Sequence, residues 1–169
     1  MFFSKIIKEP NYYHLNNLLK ILKNEGKINI SKNYFFEVRD DFIGIYKKPL
    51  KFNYFLYIYP KNEIFYINEY KMKIKITISD KPKFGKFIIN FNLNNFFSPI
   101  IIRRRKKGDR IGSKKLKEIF INYKIPNFLK DFIPIIEKDD KLYIPIEGYF
   151  ENGQKFIIIE FECPIFKAL

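Results

Sequence analysis

The sequence predicts an α+β protein: antiparallel strands with an N-terminal helix, then a small C-terminal domain built as strand, loop, helix and hairpin. Three observations carry this. One stretch near the start spaces its leucines for a helix. One later stretch, Lys71 to Ser79, alternates apolar and polar residues with a period of two, and other short runs read as strands. Turn-forming residues punctuate these segments at short intervals.

The helix is expected over Asn11 to Glu25, where Leu15, Leu18, Leu19 and Leu22 follow the i, i+3, i+4, i+7 stripe. Pro10 precedes it, Asn11 can cap it and Gly26 can end it. Strands are expected at Tyr34 to Arg39 and Phe42 to Tyr46, forming a hairpin around Asp40-Asp41. Phe52 to Tyr59 and Glu63 to Asn68 flank the turn signal Pro60-Lys61-Asn62. From Lys71 to Ser79 the alternation is clean: Met72, Ile74, Ile76 and Ile78 share one face, and Lys71, Lys73, Lys75 and Thr77 the other. That is the pattern of a half-buried strand.

Asp80 to Gly85 offers the best domain boundary, giving regions 1–85 and 86–169. Beyond it, Lys86 to Leu93 and Pro99 to Arg105 read as strands, and Gly108-Asp109 breaks the second. Ser113 can cap a helix from Lys114 to about Lys124, with Leu116, Ile119, Phe120 and Tyr123 on its apolar face and Pro126 stopping it. Asn127 to Phe132 can add a short helical turn. Leu142 to Tyr149 and Lys155 to Glu162 are expected to close a hairpin across Glu151-Asn152-Gly153, Asn-Gly being a strong type I′ signal.

Composition narrows the function. At 47% apolar the 169 residues can bury a core. One cysteine, Cys163, and one histidine, His14, leave no disulfide and no metal-ligand spacing. No apolar run reaches the length of a membrane span, and the charged start does not read as a signal peptide, so a cytoplasmic location is expected. Walker, dinucleotide-binding and nucleophile-elbow motifs are missing, as is a pyrophosphate loop, and no catalytic residue is assigned to this chain. The formal charge of +14 favours a polyanionic partner.

That charge is concentrated. Lysine is abundant throughout, but four of the five arginines, Arg103, Arg104, Arg105 and Arg110, fall in one short run. With Lys106, Lys107, Lys114, Lys115 and Lys117 they form the candidate RNA-binding set, and Gly108 and Asp109 form a structural turn within it. Arginine's planar fork suits phosphate oxygens, and free helix N–H groups can add to such a site. If Ile100 to Arg105 is extended, Arg103 and Arg105 face one way and Arg104 the other. Asp109 is expected to pair with Arg110 or Arg105 and to accept turn N–H groups. A solvated basic face without a ligand is the alternative reading of the same residues.

The ordered run Ile102-Arg103-Arg104-Arg105-Lys106-Lys107-Gly108-Asp109-Arg110, Gly112-Ser113-Lys114-Lys115-Leu116, Lys124-Ile125-Pro126, Phe132-Ile133-Pro134-Ile135-Ile136 and Gly148 resembles the C-terminal domain of bacterial tRNA(Ile)-lysidine synthetase over about residues 96 to 162. Residues 11 to 95 resemble the preceding segment of that family through the leucine-rich helix, Gly26-Lys27, Tyr34 and Arg39. The chain departs from the family in its short Ile111-Gly112-Ser113 loop, Lys130 in place of Arg, Pro145 in a strand, and Asn92 in place of Asp. The resemblance implies a tRNA-holding role in converting the wobble cytidine of an isoleucine tRNA with a CAU anticodon to lysidine. ATP and lysine would be substrates of a PP-loop pyrophosphatase part, here supplied by a separate catalytic chain. A stand-alone basic RNA-binding or ribosome-associated protein without enzymatic activity is the alternative, and a remnant that no longer binds RNA is a third reading.

Overall fold

The structure is a computed structural model that describes residues 12–24, 26–31, 34–39, 42–47, 53–127, 129–164 and 166. The expected contributions of Pro10, Asn11, Glu25, Asp40, Asp41 and Phe52 lie outside the described residues. The chain divides into two compact units, residues 1–50 and residues 51–169.

In the first unit, helix α1 (Tyr12–Asn24) packs on a three-stranded antiparallel sheet of β1 (Gly26–Ser31), β2 (Tyr34–Arg39) and β3 (Phe42–Lys47). The β2–β3 pairing is the expected one. Gly26 does not merely end the helix; it opens β1, a strand not anticipated from the sequence. Ile30, Phe36 and Val38 form the core here, with Leu18 and Ile21 of α1 packed against them. The expected leucine stripe is therefore rotated: Leu19 and Leu22 are exposed. Leu18 and Ile21 are themselves three residues apart, so helical spacing allowed either face, and the isoleucine took the inner one.

The second unit holds two larger sheets. One is wholly antiparallel and contains β4 (Phe55–Ile58), β8 (Ile100–Arg103), β11 (Ile135–Lys138) and β12 (Lys141–Tyr143), in the spatial order β12-β11-β8-β4. The other contains β5 (Glu63–Ile67), β6 (Met72–Ser79), β7 (Ile88–Asn92), β13 (Tyr149–Phe150) and β14 (Phe156–Glu162), in the order β13-β7-β14-β6-β5. The sheets meet where the ring of Phe91 on β7 takes the ring of Tyr143 on β12 edge-on, centroids 5.1 Å apart. The alternation expected for β6 holds: Met72, Ile74 and Ile76 are buried, and Lys73 and Lys75 lie opposite Glu162 and Glu160 of β14.

Three expectations change. The unit division falls at 50/51, whereas 85/86 lies inside one sheet, because β6 and β7 on either side of it both pair with β14. The Pro60-Lys61-Asn62 turn is real, but its two strands enter different sheets. The Asn152-Gly153 segment does not join a hairpin: β13 runs parallel to β7, and β14 inserts between β7 and β6. Competing polar contacts explain this. Asn92 Nδ2 donates to the Asn152 carbonyl at 2.9 Å, and the Glu151 carboxylate accepts from the Asn92 backbone N–H and the Asn95 side-chain amide, each at 2.9 Å. Pro145 lies in the link between β12 and β13, not in a strand, where its carbonyl accepts from the N–H groups of Phe87 (2.7 Å) and Gly148 (3.1 Å). The tight two-residue hairpin is instead β11–β12, where Asp139 and Asp140 take positive φ of 50° and 60°.

Candidate nucleic-acid interface

Strand β8 ends at Arg103, and the chain then enters an ordered loop. Lys106 to Asp109 is a turn closed by the Asp109 N–H donating to the Lys106 carbonyl at 3.3 Å. Gly108 sits at φ 98° with open space where a side chain would go, so its glycine serves the backbone conformation alone. Arg110–Ile111 (β9) then pairs with Lys114–Lys115 (β10) across Gly112-Ser113, and α2 (Leu116–Asn122) comes next. The helix thus starts at Leu116 and not at Lys114. Glu118 reaches back to accept from the Lys115 N–H at 3.2 Å, replacing Ser113 as the expected capping group. Leu116 and Phe120 are buried as expected, and Tyr123 is exposed beyond the helix end.

Arg103 is not a surface arginine. Its Nη1 and Nη2 donate to Asp109 Oδ2 and Oδ1, both at 3.0 Å, its Nε donates to Glu137 at 3.0 Å, and Nη1 also donates to the Arg104 carbonyl at 3.1 Å. This corrects two expectations: Arg103 is buried behind the loop and cannot touch a ligand directly, and Asp109 pairs with Arg103, not with Arg110 or Arg105. Asp109 also accepts the Lys106 N–H at 2.7 Å, as its turn role predicted. Burial works against the Asp109 carboxylate, but the Arg103 hydrogen bonds, the Lys106 amide and the nearby positive charges outweigh it and hold the carboxyl below its ordinary value. Burial likewise works against the Arg103 charge, and its bonds to Asp109 and Glu137 more than offset it.

Arg104 and Arg105 do not diverge, because β8 has ended before them. Both reach Asp131: Arg104 Nη2 at 2.9 Å, Arg105 Nη2 at 2.8 Å and Arg105 Nε at 2.9 Å. Arg104 is the inner of the two and Arg105 the outer, with 14% and 37% of their side-chain surfaces exposed. Arg110 donates to the Ser113 carbonyl through Nη2. Together Arg104, Arg105, Lys106, Lys107, Arg110, Lys115 and Lys117 line one cleft of about 670 Å³, along with Asp109 and Asp131. Lys114 lies on β10 outside that lining, and Lys130 is buried with its ammonium on Asn127 at 2.9 Å.

The cleft presents long lysine ammonium groups and a half-exposed guanidinium around an anchored loop, an arrangement matched to successive phosphates. The acids that shape it, Asp131 and Glu137, lie 26 and 34 residues from their arginines, and no local pattern marks them. Among the described residues no group of three His, Cys, Asp or Glu side chains could hold a metal ion, and no helix is long and apolar enough to cross a membrane.

Residues 100–152, which contain the loop and the cleft-lining basic residues, match the family model described as "TilS substrate C-terminal domain". The tRNA(Ile)-lysidine synthase of Streptococcus mutans is 31% identical over 177 residues, covering 85% of the chain and 39% of that protein. That of Persephonella marina is 28% identical over 176 residues, covering 90% of the chain and 39% of that protein. The chain thus spans about two fifths of the length of these relatives. A solved structure described as "Crystal structure of TILS C-terminal domain" shares the fold, with a TM-score of 0.52 and 22% identity over 66% of this chain and 98% of that one. Sequence and fold agree that this chain is similar to the C-terminal part of tRNA(Ile)-lysidine synthase.

Proposed function

We propose that this chain is the tRNA-binding C-terminal portion of a tRNA(Ile)-lysidine synthetase. In this reading it holds an isoleucine tRNA with a CAU anticodon while a separate PP-loop chain activates the wobble cytidine with ATP and joins it to lysine. The observation that carries the reading is the cleft itself. It lies largely within the family-matched residues 100–152, and exposed Lys106, Lys107, Arg110, Lys115 and Lys117 surround a loop fixed from behind by Arg103 and Asp109. A phosphate backbone laid there would meet several cations at once, with the loop already ordered before binding. The chain's part in the reaction is to bind and orient; it supplies no group to the bond-making steps.

The test is lysidine formation on that tRNA with ATP and lysine, comparing a pyrophosphatase-domain chain alone with the same chain plus this protein. A clear rise on addition supports the reading. No rise with tRNA binding intact would move the protein to a general RNA-binding role, and no tRNA binding at all would leave a remnant.

A further inference from the structure

Strand β4 forms one edge of its sheet, and its outward positions carry rings. Phe55, Tyr57 and Tyr59 are 46%, 54% and 53% exposed, whereas Ile58 between them is buried. The contrast with β6 is informative. There the outer positions are Lys73 and Lys75, the ordinary solution for a wet sheet face. On β4 the same kind of position holds Phe55 and Tyr57, and Tyr59 follows just past the strand's end. Rings left in water cost free energy unless something covers them.

The register places these rings beside the basic cleft. Phe55 lies opposite Arg103 and Tyr57 opposite Ile101, so the ring row starts at the root of the arginine loop. Lys106, which lines the cleft, also carries its Nζ 5.8 Å from the Phe55 ring centre, so one side chain borders both features. Phe55 and Tyr57 stand edge to face with centroids 5.1 Å apart, already ordered as neighbours. Exposed rings bordered by cations match unpaired nucleotides, whose bases stack while their phosphates pair with lysine and arginine.

The geometry points to β4 as a base-stacking platform that takes unpaired nucleotides of an RNA whose adjoining phosphates lie in the basic cleft. This rests on the RNA-binding reading and adds a preference that the cleft alone would not have: single-stranded segments over fully paired ones.

The chain contains no tryptophan, so Tyr57→Trp gives a single reporter within the platform. Titrating the full-length variant with a short oligouridine or oligoadenosine should quench its emission, and a fully paired RNA duplex of equal phosphate number should not. In the otherwise native chain, Phe55→Leu and Tyr57→Leu should each weaken oligonucleotide binding by about tenfold, while leaving the salt dependence of duplex binding unchanged. Circular dichroism and a denaturation curve for each variant establish that it is folded. Quenching by the oligonucleotide, with weaker binding in the leucine variants, supports the platform. If duplex binding is salt-sensitive but the oligonucleotide neither quenches nor binds the leucine variants more weakly, the platform is overturned and the RNA-binding reading stands. If the parent chain binds neither RNA, both fall. A change in Trp emission that depends on protein concentration without RNA would make a second copy of the chain the occupant and would overturn the proposal.

Discussion

Arg103 and Asp109 meet in a two-point contact, Nη1 to Oδ2 and Nη2 to Oδ1, each 3.0 Å, with only 5% and 7% of their side-chain surfaces exposed. Six residues apart in sequence, they tie the end of β8 to the far side of the Gly108 turn. Glu137 on the neighbouring strand takes the remaining Nε, which anchors the loop to the sheet. The first arginine of the cluster therefore serves the loop's shape, while Lys106, Lys107 and Arg110 lie on its surface.

Removing one partner of this pair strands the other in the interior. Asp109→Asn and Arg103→Ala should each cost about 3–5 kcal/mol, and Arg103→Lys should recover little, because an ammonium cannot make the two-point contact. Urea denaturation checks this. The carboxyl of Asp109 is held below its ordinary value in the folded chain, so the folded state binds fewer protons than the unfolded state at acid pH. Its contribution is complete at neutral pH and persists down to about pH 4. It disappears as the pH falls further, through the depressed folded value. Asp109→Asn should flatten that acid limb; an identical pH profile in parent and variant would mean that the pair contributes nothing.

The cleft residues should behave differently. Changing Arg105, Lys106, Lys107 and Arg110 to Gln together should lower the magnitude of the slope of log K against log salt for tRNA by up to about 3.6, at roughly 0.9 for each phosphate no longer neutralised. Stability should shift little, since Lys106, Lys107 and Arg110 are exposed. Including Arg103 in such a set would confound the result, because its removal frees the loop from the sheet. Filter binding at several salt concentrations, beside a denaturation curve, separates the two effects. An unchanged slope would remove the cleft from the RNA contact.

Much of the fold was legible in the chain. The β6 alternation, the β2–β3 pair and the Gly108-Asp109 turn arise from local pattern, because a period of two and a glycine at positive φ leave few alternatives. The concentration of arginine marked the loop that lines the cleft. Which arginine is buried could not be read, because that depends on Glu137 and Asp131, brought in by β11 and the segment before it. The Asn152-Gly153 signal misled for a similar reason. Asn92 and Glu151 hold that segment against β7, and tertiary hydrogen bonds outweigh an intrinsic turn preference.

Gly148 shows such a constraint at a single atom. It lies at φ 80°, and a Cβ there would stand 2.6 Å from the Gly85 carbonyl oxygen and 3.1 Å from that of Ile88. Both obstacles are backbone, so neither can swing aside. Gly148→Ala combines a strained conformation with a clash and should cost more than about 1 kcal/mol, loosening the β7–β13 pairing. Gly108→Ala is the control, since no atom lies within 4 Å of its Cβ position and only the φ of 98° opposes it. The Gly148 variant should be the less stable of the two in urea, and the reverse order would deny the close approach.

Asp131 offers a test of how the cleft is tuned. Its carboxylate occupies the position where two guanidiniums converge, with Arg104 at 2.9 Å and Arg105 at 2.8 Å. If the cleft takes RNA as proposed, a phosphate approaching Arg105 must compete with that internal anion, and non-specific affinity should be lower for it. Asp131→Asn removes the negative charge while keeping an acceptor oxygen of similar size. The expected result is tighter tRNA binding at high salt and a salt slope steeper by up to about 0.9, one further phosphate neutralised. Discrimination between tRNA and an unrelated RNA of equal length should fall, because the added attraction is sequence-independent. If affinity drops instead, Asp131 is needed to position the two arginines, and internal competition is not how this cleft limits its grip.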